Sequence, residues 1–491
     1  MKSNIALAAI LAFGTSTIAS ATTFVVNKTS DDGSAHTLRW AIEQNNLNPV
    51  GNRIQIIPTG PDLPFVIKLN SLLPPIIGPA TIEGKNRGSA AIAPLVTDVV
   101  IDGSNFINGD DVASCPGANP AQSGPNVRSF TKPALSVVDS GYVEISGLEI
   151  RQFCIGILSL RSHDNHFHHT KIHNTAGAAG IEFTGDDGNG GPTTGLSTRN
   201  VMDYNIIYDT GDGAEFTRGT SYSVSQYNLF FETRAHGNVP YSQGMEFAGT
   251  LNDHNRVLRN TFAGYSDGLQ MNAANDLLIM GNTITSSTYG ITASGTGVVI
   301  IDNVITGNRM GVGPSLTSHV AITQNQIYNN GQPILSLAGS AGGTTNPASP
   351  ALLGIDVGVN GVTPNDLGGS CADSFPDCDT VQNFPVLSPG SSWSANQIVL
   401  PGTLASRPNA IFVIDFYANH GLNVAGFAEG ERYLGSLTIT TDVTGNAVFA
   451  FTLPTGDPLQ DGSAHAVFTA TATNASDSTS EFSAGLSLSK Q

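Results

Sequence analysis

The stretches Gly180-Ile181-Glu182-Phe183, Gly213-Ala214-Glu215-Phe216 and Gly244-Met245-Glu246-Phe247 are copies of one pattern: a Gly, an apolar residue, a variable residue and an apolar residue. Four looser copies begin at Gly156, Gly268, Gly290 and Gly311. The variable positions are 24, 33, 31, 24, 22 and 21 residues apart. A period of about 22 residues is too short for a two-helix repeat, and it suits a coil of three short strands whose inward side chains stack. The repeat therefore predicts a parallel β-helix.

A second marker recurs in step with the first, an Asn followed two residues later by an apolar residue. Its copies begin at Asn205, Asn228, Asn260, Asn282, Asn303 and Asn325. At one such position per turn, we expect the amides to form a buried ladder that bonds to itself and to the backbone.

The segment 37–46 precedes the repeats and predicts a helix. Leu38, Ala41 and Ile42 fall at i, i+3 and i+4, so they share one apolar face that can cap the open end of the coil.

This segment resembles the Cys-Ser-Leu-Arg-Glu-Ala-Ile motif that opens many secreted bacterial β-helix proteins. The core Leu-Arg-x-Ala-Ile is kept, whereas His36, Thr37 and Trp40 depart from the motif. Together with the repeats, the chain resembles pectate-lyase-like right-handed β-helix proteins up to about Leu337. That resemblance implies a fold rather than a function, because the same coil serves lyases, hydrolases, epimerases and adhesins.

The first 21 residues have the features of a secretory signal. Lys2 precedes an apolar run from residue 5 to 13, and Ala19-Ser20-Ala21 is a small-residue cleavage site. We expect a mature chain from Thr22, secreted to the periplasm or the extracellular space and not inserted in a membrane.

The formal net charge is -18, yet only 12% of the residues are charged. Nucleic acid and anionic membranes attract clustered Lys and Arg, so this balance argues against both partners.

Beyond the coil, predicted at residues 22–337, the periodicity stops. Residues 338–383 are predicted as a linker that holds a Cys371–Cys378 loop; a Cys115–Cys154 pair is the less secure expectation. Residues 384–491 alternate as short strands and resemble the Ig-like β-sandwich modules of secreted bacterial proteins. This second domain is expected to be a spacer or end cap, with cell-surface contact as the alternative.

Strand alternation sends the variable position of each repeat outward, so Glu182, Glu215 and Glu246 are expected to be exposed in a column, continued by Gln270. Neighbouring strands are about 4.8 Å apart, and two carboxylates at such spacing are the minimum for glycoside hydrolysis. Long insertions beside these turns predict the walls of a cleft.

The predicted function is therefore a secreted glycoside hydrolase that binds a polysaccharide and needs no organic cofactor. Glu215 is the central catalytic candidate, with Glu182 or Glu246 as its partner. The predicted substrate contacts are Asp212, Asp267, Gln270, Arg218, His236 and Tyr241.

Two alternatives remain open. A polysaccharide lyase or epimerase could hold Ca²⁺ on the same column, and a non-catalytic adhesin would need no such column. His163, His166, His168, His169 and His173 crowd one turn and are expected to be ordinary polar residues of an exposed strand, with a metal site as the alternative.

Overall fold

The computed structural model describes residues 20–59, 62–85, 98–108, 115, 132–185, 195–233, 242–332, 352–366, 381–454, 456–460 and 464–491, without the side chains of 176–178. Residues 1–19 of the predicted signal and the Cys371–Cys378 loop lie outside these residues.

Short strands make up the first part of the chain. In order they are β1 Thr23–Val26, β2 Asn52–Ile56, β3 Phe65–Lys68, β4 Ala80–Gly84, β5 Val99–Asp102, β6 Pro133–Val138, β7 Val143–Ser146, β8 Glu149–Arg151, β9 Ile155–Leu160, β10 His166–His168, β11 Lys171–Thr184, β12 Ser197–Thr198, β13 Val201–Asp203, β14 Ile206–Thr217, β15 Thr220–Ser221, β16 Val224–Gln226, β17 Leu229–Phe231, β18 Gln243–Ala248, β19 Arg256–Leu258, β20 Thr261–Ala263, β21 Asp267–Asn272, β22 Ala274–Asn275, β23 Leu278–Met280, β24 Thr283–Thr285, β25 Tyr289–Ala293, β26 Gly295–Thr296, β27 Val298–Ile301, β28 Val304–Thr306, β29 Met310–Pro314, β30 Val320–Thr323 and β31 Gln326–Tyr328.

These strands form a right-handed parallel β-helix, as predicted. One face is an 11-stranded parallel sheet that contains β10 and β13. A 16-stranded sheet contains two further ladders of parallel strands. The long strands β11 and β14 belong to both ladders, because the first half of each strand pairs in one ladder and the second half pairs in the other. Inward apolar residues from every rung stack into one continuous core.

The predicted asparagine ladder is confirmed. Nδ2 of Asn228 donates to Oδ1 of Asn260 at 2.9 Å, and Nδ2 of Asn260 donates to Oδ1 of Asn282 at 3.1 Å. The ladder continues through Asn303 to Asn325, each step at 2.9 Å. All of these side chains are buried, so the ladder satisfies the polar groups of successive turns inside the coil.

The predicted cap helix is also confirmed. It spans Leu38–Leu47, and Thr37 caps it by accepting a hydrogen bond from the backbone N–H of Trp40. Its buried residues Leu38, Ala41 and Ile42 join the core of the coil. Arg39 of this helix makes a 2.8 Å ion pair with Asp31, which anchors the helix to the preceding loop.

The C-terminal domain consists of two four-stranded antiparallel sheets. Its strands are β32 Val386–Leu387, β33 Ser392–Trp393, β34 Gln397–Ala405, β35 Ile411–Asn419, β36 Arg432–Thr440, β37 Asn446–Pro454, β38 His465–Asn474 and β39 Leu486–Ser489. The sheet of β32, β33, β34 and β37 packs on the sheet of β35, β36, β38 and β39 over a separate apolar core. This is a small β-sandwich.

The sandwich closes the far end of the coil. Oγ1 of Thr323 donates to Asp415 at 2.5 Å, and the carboxylate of Glu429 accepts Nδ2 of Asn330 at 3.0 Å. Residues 353–358, within the predicted linker, instead add a partial last rung: Ile355 pairs in parallel with Val312. This rung is held by hydrogen bonds and its sequence does not follow the repeat spacing, so the periodicity of the sequence did not reveal it.

A disulfide joins Cys115 to Cys154 across a separation of 39 residues. This is the pair that the sequence favoured less. Within the described residues, no helix is long and apolar enough to cross a membrane.

Candidate active site

The acidic column predicted from the repeats is present in register. Glu182 of β11 lies opposite Glu215 of β14, and Glu215 lies opposite Glu246 of β18. Gln270 and then Thr292 continue the column on the next two rungs. The predicted stacking of these positions is confirmed.

The predicted exposure of the column is wrong. Glu182 is 0% exposed and Glu215 is 3% exposed, while Glu246 is half-buried. Alternation decides which face of a sheet a side chain takes, but not whether that face is covered. The outward neighbours Leu158 and Thr217 are buried as well, so this face is packed around the acids.

Three carboxylates converge at the centre of this face. One carboxylate oxygen from each of Asp212, Glu215 and Glu246 lies within 4.8 Å of the other two. Oδ1 of Asp212 also accepts the backbone N–H of Gln243 at 2.8 Å. Each pair of charges at this separation repels by about 1 kcal/mol in bulk water and by several times more near a protein interior. The cluster therefore favours a bound proton or a cation, and it could hold an oxygen-preferring ion such as Ca²⁺.

Asp267 lies beside these acids. Ser266 and Thr292 donate hydroxyl hydrogen bonds to it at 3.2 and 3.3 Å. The pKa of Asp267 is raised to about 7, chiefly by burial and also by the charge of Glu246, although the two hydroxyls act to lower it. A carboxyl group with this pKa can hold and release a proton near neutral pH.

Arg218 follows β14 directly, three residues after Glu215. Its side chain passes over Gly249, where an added Cβ would lie 2.4 Å from Cγ of Arg218. Because Gly249 follows the strand of Glu246, the guanidinium stem lies at the end of both acidic strands. His236 and Tyr241, the other predicted contacts, lie outside the described residues.

Three polar neighbours were not predicted. Nδ2 of Asn272 donates to Glu246 at 3.1 Å and to Gln270 at 3.2 Å. Oε1 of Gln243 and Oγ1 of Thr217 are buried and have no hydrogen-bond partner within the described part of the chain. Gln243 and Thr217 lie near the column glutamate of their own strand. Their position relative to that glutamate in the repeat is the sequence feature that could have identified them.

Fold and site together define a parallel β-helix protein with a buried acidic cluster on one outer face. A family model described as "NosD: Periplasmic copper-binding protein (NosD)" matches residues 193–345. A relative from Acinetobacter baylyi, named 3-dehydroshikimate dehydratase, is 33% identical over 459 residues, which cover 89% of this chain and 91% of the relative. The chain belongs to the family of that relative.

Solved structures with similar coils include an alginate lyase from Paenibacillus sp., at 14% identity and a TM-score of 0.37, covering 63% of this chain and 97% of the lyase. A surface adhesin of Streptococcus pneumoniae, PfbA, matches at 11% identity and a TM-score of 0.38, covering 60% and 76%. Pectate lyase Pel9A matches at 14% identity and a TM-score of 0.31, covering 65% and 74%. At these scores the likenesses carry no functional argument.

Proposed function

We propose that this protein is a dehydratase that removes water from 3-dehydroshikimate at the acidic cluster of Asp212, Glu215, Glu246 and Asp267. The observation that carries the proposal is the 33% identity, along nearly the whole of both chains, to a relative named for that reaction. The site supplies the proton-transfer groups that such a reaction needs.

The substrate is a cyclic carboxylic acid with a hydroxyl group β to a ketone. A base removes the proton on the carbon between the ketone and that hydroxyl-bearing carbon. The carbon–oxygen bond then breaks, and the departing oxygen takes a proton and leaves as water. One further proton shift, from the remaining ring CH2 to the ketone oxygen, produces the aromatic acid 3,4-dihydroxybenzoate. The reaction therefore needs one proton acceptor and one proton donor on the enzyme.

The cluster can provide both. Glu215 lies within 4.8 Å of Asp212 and Glu246 and is assigned as the proton acceptor, with Glu246 as its neighbour on the more exposed side. Asp267 is assigned as the proton donor, because burial raises its pKa to about 7 and keeps it protonated below that pH. Two carboxyl groups whose environments separate their protonation states are a common arrangement for acid and base roles.

The packing of this face and the position of Arg218 bear on the choice of substrate. A packed face with buried acids suits a small ring better than a polymer lying along an open cleft. Since the substrate is an anion, it needs a neighbouring cation, and Arg218 at the end of the acidic strands is the assigned partner for its carboxylate.

The proposed place of action is outside the cytoplasm. The signal-like first 21 residues and the disulfide between Cys115 and Cys154 both support export. The family model that matches residues 193–345 is likewise described as periplasmic.

A glycoside hydrolase, the function predicted from the sequence, is the second candidate. Glu215 and Glu246 occupy adjacent rungs with oxygen atoms within 4.8 Å, which is near the separation of about 5 Å used by retaining enzymes. A lyase or epimerase with Ca²⁺ would use the same acids, whereas an adhesin would use none of them.

One assay separates these candidates. The purified mature protein is incubated with 3-dehydroshikimate and, separately, with a polysaccharide panel. We expect the ultraviolet absorbance of 3,4-dihydroxybenzoate from the first and no product from the panel. Reducing ends alone would indicate a hydrolase, and unsaturated uronates would indicate a lyase. No product from any substrate, with glycan binding by a folded protein, would favour the adhesin.

A further inference from the structure

Two histidines project from one strand of the 11-stranded sheet. In β10 the middle residue, Phe167, points into the core, so His166 and His168 both point outward. Their rings stack with centroids 4.2 Å apart. This places two imidazole rings side by side on the coil, on a different sheet from the acidic cluster.

A carboxylate from the next rung completes the group. Asp203 of β13 lies opposite His168 and accepts a 2.9 Å hydrogen bond from Nε2 of His166. One ring nitrogen of each histidine and one oxygen of Asp203 lie within 4.8 Å of one another. Donor atoms around a tetrahedral Zn²⁺ are separated by about 3.3 Å, so side-chain adjustments alone can close this set around an ion.

Neighbouring side chains hold these donors in place. Nδ1 of His168 lies 2.7 Å from Nδ1 of His169, and Nε2 of His168 lies 3.1 Å from Oε1 of Glu144, so these two neighbours orient the His168 ring. His169 in turn stacks on Tyr204, and Nε2 of Gln226 donates to the second oxygen of Asp203 at 3.3 Å. Outer partners of this kind orient the ligands in metal sites.

The charge balance distinguishes this group from the other histidines of the same turn. Asp164 beside His163 is also paired with Arg199 at 2.6 Å, and Glu149 beside His173 is also paired with Lys171 at 3.0 Å. Among the described residues, Asp203 forms its ion pair with His166 and none with Lys or Arg. Asp203 is thus a largely buried carboxylate whose charge an added cation could balance.

We propose that His166, His168 and Asp203 form a binding site for a divalent transition-metal ion, with Zn²⁺ as the fitting ion. Two imidazole nitrogens and one carboxylate oxygen suit Zn²⁺, whereas Ca²⁺ and Mg²⁺ prefer oxygen ligands. The His166 side chain is 44% exposed, which leaves a fourth coordination position open to water or to a donor from a bound molecule. The site stands whether or not the protein is a dehydratase.

Metal-free mature protein tests the site. Zn²⁺ is titrated by calorimetry, and Co²⁺ is titrated by visible absorption, which reports the coordination geometry of the bound ion. We expect one Zn²⁺ per chain in the wild type, and at least tenfold weaker binding with loss of the Co²⁺ bands in the double variant His166→Ala/His168→Ala. Asp203→Asn preserves the side-chain shape and should weaken Zn²⁺ binding as well.

The matched control is His420→Ala. His420 is an exposed histidine that lies 2.8 Å from Glu431, so it tests whether any histidine beside a carboxylate takes up the ion. It should bind Zn²⁺ as the wild type does, and so should Glu215→Gln in the acidic cluster. Circular dichroism verifies that each variant is folded. Unchanged binding in the double variant, no binding in the wild type, or binding lost only in Glu215→Gln would overturn the proposal.

Discussion

The asparagine ladder makes a direct prediction for the stability of the coil, through the change Asn260→Ala. Oδ1 of Asn260 accepts the backbone N–H and the Nδ2 of Asn228, both at 2.9 Å, and its own Nδ2 donates to the carbonyl of Ser225 at 3.0 Å. Alanine removes the acceptor of the Asn228 N–H and the donor to the Ser225 carbonyl in a buried turn. Each orphaned group costs about 1–3 kcal/mol, so the free energy of unfolding should fall by roughly 2–6 kcal/mol.

Urea unfolding followed by far-ultraviolet circular dichroism measures this loss as a lower midpoint. The control is Asn275→Ala, because Asn275 is an exposed asparagine on the following turn and should change stability by less than about 0.5 kcal/mol. The reasoning is refuted if the two variants unfold at the same urea concentration.

Three further predictions concern the domain junction, the disulfide and the acid–base pair. Burial raises the pKa of Glu429 from 4.5 to about 7, so the stability that its protonated form gives the protein is complete below pH 4.5 and is lost as the pH rises through 7. Between pH 5 and 8 the free energy of unfolding in urea should therefore fall by roughly 3 kcal/mol less in Glu429→Gln than in the wild type. The same dependence of the free energy of unfolding on pH in both proteins would exclude Glu429 as the cause. Replacing Cys115 and Cys154 together by alanine opens a loop of 39 residues and should lower the free energy of unfolding by about 4 kcal/mol. The measured result should be a lower melting temperature, and a melting temperature equal to that of the oxidised wild type would contradict this prediction. Since Asp267 holds its proton only below its pKa of about 7, the rate of dehydration should fall above that pH. Asp267→Asn should lower kcat at least ~100-fold and remove this fall in rate at alkaline pH. If the fall in rate persists in the variant, another group causes it.

The repeats made the fold and the register of the site predictable. Spacing alone placed Glu215 opposite Glu246, because parallel strands in a coil stack equivalent positions. The apolar spacing of Leu38, Ala41 and Ile42 likewise identified the face of the cap helix that packs on the core.

Other features depend on contacts that a repeat does not encode. The burial of Glu182 depends on what covers the sheet, which alternation does not report. Asp203 pairs with His166 across a gap of 37 residues, and a turn of unusual length separates them, so the average period did not bring them together. The partial rung at Ile355 has no repeat signature at all.

The most direct measurement of the central claim is the rate of 3,4-dihydroxybenzoate formation by Glu215→Gln, compared with Glu43→Gln on the exposed side of the cap helix. Both changes remove one carboxylate charge and keep the side-chain shape. The acidic cluster account predicts that Glu215→Gln loses at least ~100-fold in kcat while folding normally, and that Glu43→Gln matches the wild type. Equal rates in both variants would place the reaction away from this cluster and contradict the account.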